Sequence, residues 1–165
     1  MIVASETIEK AKQTFLQEKE RLVLGLSTTP DERLNWSPSE TARTPIQIVA
    51  HAAYVIGSLN RTLDGDTFSI PTTAEADRSF REFERDFTTR DQALELLEQN
   101  SAAYVAWLDQ LSEARLSDDV NLPFSAAEVL MAEVLDLAAQ HTRWHAAQLD
   151  YVQTIYGDHE WHRDR

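Results

Sequence analysis

The stretch Thr44–His51, with the sequence TPIQIVAH, decides the fold because it starts a helix and carries a histidine on that helix. Thr44 is a typical N-cap, Pro45 suits the first helical position, and Gln47 completes a capping box with the threonine. Gly65, between two aspartates, can take the left-handed conformation that ends a helix. These signals predict a helix from residue 45 to about residue 63. Its apolar stripe consists of Ile48, Ala52, Val55, Leu59 and Leu63.

Two further helices are predicted on either side of this one. Residues 5–26 form the first, and Thr28, Thr29 and Pro30 end it. Thr89 and Gln92 make a second capping box, which starts a helix that continues to about Leu111. The apolar stripe of the first helix consists of Ile8, Ala11, Phe15, Leu22 and Leu26. The stripe of the later helix consists of Leu94, Leu97, Tyr104, Leu108 and Leu111.

A fourth helix is predicted over residues 125–156, with Ser125 as its cap and Glu128 as the box partner. It would be roughly 45 Å long at the usual rise per residue. Between the second and third helices, residues 66–88 are less regular and hold a predicted short helix over residues 74–87. Four long amphipathic helices indicate an all-α protein, a four-helix bundle with a long connection between its second and third helices.

The composition narrows the function classes. Among its 165 residues the chain has 15 Lys and Arg residues and 28 Asp and Glu residues, which gives a net charge of −13. We therefore expect no nucleic acid partner and no membrane partner, because both kinds of binding rely on clustered basic residues. The chain has no cysteine, which excludes thiolate zinc sites and cysteine nucleophiles. No apolar run is long enough for a membrane span, and we expect a single cytoplasmic domain covering residues 1–165.

The five histidines carry most of the functional information. His141 and His145 are four residues apart in the predicted fourth helix, so they project from the same face. At about 100° per residue they interrupt an apolar stripe and point into the bundle. His51 lies at the edge of the apolar arc of the second helix, as expected for the wall of a pocket. The stripe that contains the histidine pair also includes Leu130, Val134, Leu137, Gln148, Val152 and Ile155.

An inward pair of histidines with a third on a neighbouring core-facing helix favours a metal site. Imidazole nitrogen binds zinc, nickel, iron and copper, and three protein ligands leave coordination positions open for water or substrate. Such an ion lowers the pKa of a bound water or thiol and so generates a nucleophile. The alternative is that the three side chains are polar core residues. For His159 and His162, near the C-terminus, an exposed segment is the favoured interpretation.

Three stretches carry a resemblance to a known family. They are Leu34–Pro38 (LNWSP), Thr44–His51, and His141–Gln148 (HTRWHAAQ). In this order and at this separation they resemble the DinB-like superfamily, which includes DinB-like and YfiT-like metalloenzymes. The resemblance covers most of the chain and implies a four-helix bundle.

The resemblance also implies a site and a range of activities. A divalent metal, usually zinc or nickel, would be held by His51, His141 and His145. Gln148 matches a glutamine that lines the site in relatives, and we expect it to contact a bound cofactor. Characterised relatives include S-transferases for bacillithiol or mycothiol and a mycothiol-dependent isomerase, and others are described as hydrolases. The resemblance further favours a homodimer.

Two functional hypotheses follow. In the first, the metal activates a low-molecular-weight thiol or water to attack a small electrophilic substrate. In the alternative, the bundle is a non-enzymatic metal-binding or stress-response scaffold. Tyr54, one turn from His51, is a candidate proton donor, and Glu133 a candidate partner of a ligand, although an ordinary surface role is favoured for both. Trp144 lies beside the stripe as a candidate pocket, core or interface residue.

Overall fold

The structure is a computed structural model, and it describes residues 2–124 and 128–162 of the chain. Four long helices dominate it, and a short antiparallel pair of strands and two 3₁₀ turns lie in the connections. The helices are α1 (Ile2–Thr28), α2 (Pro45–Leu63), α3 (Thr73–Glu84), α4 (Arg90–Gln110), α5 (Met131–Val134) and α6 (Leu137–Ile155). The strands are β1 (Asp119–Asn121) and β2 (Glu128–Leu130), and the 3₁₀ turns are Asp31–Arg33 and Glu113–Ser117.

The predicted start and stop of α2 are confirmed. The Thr44 hydroxyl accepts a hydrogen bond from the Gln47 backbone N–H at 3.3 Å, and the Gln47 side-chain oxygen accepts one from the Thr44 N–H at 3.0 Å. Gly65 has a φ of +110°, the left-handed conformation that lets the chain leave the helix. The box of Thr89 and Gln92 starts α4 in the same way. Local side-chain chemistry therefore fixes both starts.

The helices α2 and α4 are neighbours that run in the same direction. The Asn100 side-chain amide donates to the Ala53 carbonyl at 2.8 Å, and further along both helices the Trp107 indole N–H donates to Asp64 at 3.0 Å. A connection between parallel neighbours has to return along the full length of the bundle. This requirement explains the long segment between them, and it places α3 against α2.

The relative directions of the other long helices follow from ion pairs and hydrogen bonds between them. Arg143 of α6 reaches Glu18 of α1, and Gln153 reaches the Gly25 carbonyl at 2.9 Å, so α1 and α6 are parallel. Lys12 pairs with Asp109 and Lys19 with Glu98, so α1 and α4 are antiparallel. The four long helices thus run up, down, down and up, which confirms a four-helix bundle.

The core lies between the four long helices. At its centre the Tyr104 ring meets Phe15 edge-on, with centroids 4.9 Å apart, and its hydroxyl donates to the Leu135 carbonyl at 2.8 Å. This hydroxyl is fully buried yet bonded, which avoids the cost of an unpaired polar group. None of the helices in the described part of the chain is long and apolar enough to cross a membrane.

The predicted fourth helix is wrong in its first part. Ser125 lies outside the described residues, and Glu128 is in β2, where it pairs with Asn121 rather than capping a helix. A turn at residues 135–136 separates α5 from α6. Strands of three residues are too short to show an alternation of apolar and polar residues in the sequence. The helical spacing of apolar residues therefore predicts a helix over them. The short helix predicted over residues 74–87 is present as α3, slightly earlier in the chain.

Candidate metal centre

Three histidines from two helices meet at one point. The ligating nitrogens of His51, on α2, and of His141 and His145, on α6, all lie within 4.8 Å of one another. The Nε2 atoms of His141 and His145 are 3.1 Å apart. Two nitrogens bound to one tetrahedral ion at ordinary zinc–nitrogen lengths would be roughly 3.4 Å apart. The predicted convergence of the three rings is therefore present.

His51 is the most firmly held of the three. Its residue surface is only 7% exposed, and its Nδ1 lies 2.8 Å from the Oε1 atom of Glu84, at the end of α3. Phe80 lies against the imidazole with its ring centroid 5.2 Å away. Because a carboxylate only accepts hydrogen bonds, Nδ1 carries the proton in this contact. With Nδ1 as the donor to Glu84, Nε2 is the nitrogen left to face a metal.

Glu84 is itself held from a second side. The Arg43 Nε–H donates to Glu84 Oε2 at 2.7 Å, and Arg43 also reaches Asp77 at 3.1 Å. Burial disfavours the charged form of Glu84, but the hydrogen bonds from His51 and Arg43 outweigh it and hold the pKa of Glu84 below its usual value. The group is therefore an ionised, buried carboxylate at neutral pH.

His141 and His145 have a different environment. Both are half-buried, and the Nδ1 of His145 lies 2.9 Å from the side-chain oxygen of Gln148, which is exposed. The Nδ1 of His141 is buried and has no hydrogen-bond partner. Burial, together with the neighbouring histidines and Arg43, lowers the pKa of His141 to about 2; burial and the proximity of His51 lower that of His145 to about 4. Both rings are neutral at pH 7, the form that binds a metal.

The burial of the three histidines differs from the sequence prediction. His51 is buried instead of lying at an edge, because α3 covers it. The pair on α6 lies at the border of the core, since the buried face of that helix is centred roughly 90° from His141. Accordingly Gln148 and Ile155 of the predicted stripe are exposed; Leu130, also exposed, lies in β2 rather than on this helix. The buried side chains of α6 are Ala138, Ala139, Thr142, Leu149, Val152 and Gln153.

The residues present fit a divalent metal ion. Three neutral imidazoles suit a borderline-soft ion such as zinc or nickel. His51 has the anionic partner often found on metal-ligating histidines, and the half-buried pair leaves one side accessible. The Nδ1 of His141 is buried and unpaired, so within the described residues no hydrogen bond at that nitrogen orients the ring. Three protein ligands and an accessible side are the arrangement of a reactive site rather than a closed structural one.

The other candidate residues have ordinary partners. Tyr54 packs against Phe83 of α3 with ring centroids 4.6 Å apart. The Glu133 carboxylate accepts a hydrogen bond from the Leu130 backbone N–H at 3.2 Å, at the start of α5. Trp144 is 66% exposed, which excludes the core interpretation. None of these contacts gives Tyr54 or Glu133 a role at the three histidines.

The C-terminal histidines stand apart from the site. His159 is exposed, and the Nε2 of His162 lies 2.9 Å from an oxygen of Asp158. A separate cleft of about 740 Å³ lies between α1 and α6, lined in part by Glu18, Arg143 and His162. It is on the face of α6 that points away from His141, so its size gives it no part in the chemistry of the three histidines.

Glu84 and Arg43 are the site residues that sequence reasoning missed. They lie 41 positions apart, and no short motif links either of them to a histidine. One signal was available. Glu84 follows Phe80 by four residues, so a carboxylate lies on the aromatic face of the predicted short helix. An ionisable group on an apolar face needs a buried partner.

Comparison with known proteins identifies the fold and its relatives. The sequence profile of the DinB superfamily matches residues 14–149. YfiT from Bacillus subtilis, described as a probable metal-dependent hydrolase with an unusual four-helix bundle topology, is 19% identical; the match covers 91% of this chain and 87% of YfiT, with a TM-score of 0.68. The mycothiol-dependent maleylpyruvate isomerase is 18% identical with a TM-score of 0.68, and the match covers 86% of this chain but only 60% of the isomerase. No curated protein sequence matches the chain.

One structural neighbour corrects the expectation of no nucleic acid partner. The colibactin self-resistance protein ClbS, solved in complex with a double-stranded DNA, is 16% identical with a TM-score of 0.67, over 89% of this chain and 95% of ClbS. A bundle of this kind is thus compatible with a nucleic acid partner. The exclusion was wrong because net charge is a sum over the whole surface, whereas binding depends on the charge of one face.

Proposed function

The chain belongs to the DinB superfamily, and on this premise we propose that it is a metal-dependent enzyme whose ion is held by His51, His141 and His145. The observation that carries the proposal is the convergence of three imidazoles within 4.8 Å, two of them with strongly lowered pKa values. Zinc or nickel is the proposed ion, since neutral imidazole suits both. The substrate is a small molecule that reaches the site from the exposed side of α6.

The proposed reaction is nucleophilic attack on a small electrophile. A bound divalent ion supplies the chemistry by lowering the pKa of water or of a thiol so that the anion forms near neutral pH. The protein orients the three rings: Glu84 holds His51, and Gln148 holds His145. The Gln148 side chain is exposed beside His145, where it also offers an amide to a bound thiol cofactor or substrate.

A thiol is the favoured nucleophile. One structural neighbour is named as mycothiol-dependent, and another is described as a probable metal-dependent hydrolase. The first description names a thiol and a hydrolase uses water, so a thiol and water are the two candidate nucleophiles for this chain. The chain has no cysteine, so the thiol has to be a co-substrate. A cytoplasmic location is proposed with it, because thiols are kept reduced there.

The test separates an enzyme from a scaffold. The protein is purified without a polyhistidine tag, its metal content is measured, and thiol transfer to a general electrophile is assayed with bacillithiol, mycothiol and glutathione. We expect about one divalent ion per chain and transfer that is lost in chelator and restored by zinc or nickel. Metal-dependent ester or amide hydrolysis without a thiol would favour water as the nucleophile. A stoichiometric metal with neither activity would favour the metal-binding or stress-response scaffold.

A homodimer is proposed for the single domain. Trp144, Tyr151 and Trp161 are exposed large apolar side chains, whereas Trp107 stacks on Tyr104 within the chain. In a chain of net charge −13 an interface is expected to have an apolar centre. Light scattering at tens of micromolar is expected to give twice the chain mass of 18.8 kDa. Trp144→Ala combined with Tyr151→Ala is expected to shift the species towards the monomer, and a monomeric wild type would exclude the dimer.

A further inference from the structure

We infer that Glu84 is a positioning residue that selects which ring nitrogen of His51 carries the proton and thereby directs its Nε2 atom to the metal. The inference rests on the proposed metal function and adds to it a residue outside the three ligands. It also gives the long connection between α2 and α4 a role, because α3 delivers the carboxylate to the ligand. The carboxylate acts through His51 and is not itself a ligand in this inference.

Both oxygens of Glu84 are committed. Oε1 faces the His51 Nδ1 at 2.8 Å and Oε2 faces the Arg43 Nε at 2.7 Å, while the residue is only 1% exposed. Both oxygens are therefore bonded to protein and shielded from bulk solvent. As long as Glu84 is ionised, the proton of a neutral His51 ring has to lie on Nδ1, since the opposite tautomer would set a lone pair against a carboxylate.

The carboxylate is also fixed in direction. Arg43 contacts Asp77 as well as Glu84, and Arg81 holds Asp77 from the next turn of α3 with a 2.7 Å hydrogen bond. The Arg81 guanidinium donates in addition to the Thr41 carbonyl at 3.0 Å. These contacts tie α3 to the segment before α2 on the side where His51 lies. The orientation of His51 therefore depends on the docking of α3.

A purely structural salt bridge is the competing explanation, and the chain contains a matched control for it. Glu18 is also buried, with 2% of its surface exposed. It also pairs with arginine, since its carboxylate accepts hydrogen bonds from Nε of Arg143 and Nη1 of Arg21 at 2.9 Å each. It differs from Glu84 in facing no imidazole. Neutralising either carboxylate removes the anion from an ion pair whose acidic member is buried, so both changes are expected to lower stability. The loss is expected to be larger at Glu84, because Arg43 is mostly buried whereas Arg143 and Arg21 are exposed. Only the change at Glu84 is expected to alter metal binding.

The first test uses the wild-type protein without metal. Two-bond ¹H–¹⁵N correlation spectra of the histidine rings, recorded at about pH 8, report which nitrogen carries the proton. We expect the ring proton of His51 to lie on Nδ1, which faces Glu84, and His51→Gln identifies its signals. A proton on Nε2, or on both nitrogens, would overturn the inference. This measurement holds whether or not the protein is an enzyme.

The second test compares Glu84→Gln, Glu84→Ala and Glu18→Gln by titration with Co²⁺, whose visible spectrum reports the ligand geometry. Loss of the partner of a ligating histidine typically weakens metal binding by about 10–100-fold. We expect that range for Glu84→Ala with an altered spectrum, a smaller loss for Glu84→Gln, which keeps an acceptor oxygen, and wild-type binding for Glu18→Gln. Equal affinity in the Glu84 variants and the wild type would refute the inference. A wild type that binds no Co²⁺ would instead refute the proposed function.

Discussion

The two sides of the histidine cluster hold their imidazole rings in opposite ways. On the side of α2 and α3, His51 is buried and bound to an ionised carboxylate that an arginine holds in turn. On the side of α6, His141 and His145 are half-buried, and the only side chain outside the pair that bonds either ring within the described residues is the neutral amide of Gln148. One side is charged, closed and fixed, and the other is neutral and open.

The difference indicates a division of labour. A carboxylate partner makes the other ring nitrogen of an imidazole a more basic metal ligand and restricts the rotation of the ring. His51 is therefore suited to anchoring an ion. The pair on α6 lies beside solvent, where a substrate has to approach, and its weak anchoring permits adjustment. The comparison also predicts that substitutions on the two sides cause unequal losses of metal affinity and of stability, and both losses can be measured.

The largest effect is expected from removal of a ligand. His51→Ala and His145→Ala are each expected to weaken Zn²⁺ binding by more than about 100-fold, since loss of a ligand should exceed loss of its partner. The two variants should differ in the presence of chelator. His51→Ala leaves Glu84 with Arg43 alone and is expected to lower the melting temperature, whereas His145→Ala should change it little.

The matched measurement is the gain in melting temperature on adding Zn²⁺. Wild type is expected to gain stability because the metal binds the native state, and both variants should lose that gain. Full metal stoichiometry and full stabilisation in His145→Ala would show that His145 is not a ligand. If the metal-free variants were equally stable, the proposed difference between the two sides would be wrong.

The next effect is the pH dependence of the metal-free protein. The pKa values of His141 and His145 are lowered from the ordinary 6.5 to about 2 and about 4, so the unfolded chain binds more protons than the native state once the pH falls below 6.5. The stability that these two neutral rings contribute is therefore fully present above pH 6.5. It is lost as the pH falls towards 4, by on the order of 1 kcal/mol per pH unit. Glu84 has a pKa lowered from 4.5, so its contribution is lost only below that value.

Urea unfolding midpoints across this range separate the two sides. The double variant His141→Ala, His145→Ala is expected to have a flatter profile between pH 6.5 and 4.5. Glu84→Gln should keep the wild-type slope in that range and have a shallower slope than the wild type below pH 4.5. A double variant that follows the wild type throughout would show that the native pKa values of the pair are not lowered.

The smallest effect is expected at Gln148. Because its side chain is exposed and neutral, Gln148→Ala should weaken Zn²⁺ binding by less than about 10-fold, below the usual range for a charged partner. Gln148→Glu places a carboxylate beside His145, as Glu84 does for His51, and is expected to tighten binding by a few-fold. Competition with a chromogenic chelator measures both. Weaker binding in Gln148→Glu than in Gln148→Ala would contradict the argument from partner charge.

The sequence by itself determined the features that depend on neighbours along the chain. The capping boxes at Thr44 and Thr89 and the left-handed Gly65 set the ends of helices because their hydrogen bonds and backbone angles are local. The i,i+4 spacing likewise placed His141 and His145 on one face, since helix geometry requires it. The irregular residues 66–88 also predicted a long connection between the second and third long helices.

The tertiary structure alone decided which side chains surround these features. Glu84 and Arg43 meet His51 only because the parallel arrangement of α2 and α4 brings α3 back over the second helix. The same packing buries His51 and leaves the α6 pair at the border, reversing the expected order. Periodicity gives the face of a helix but not the neighbour that covers it, because burial is set by contacts between segments that are distant in the sequence.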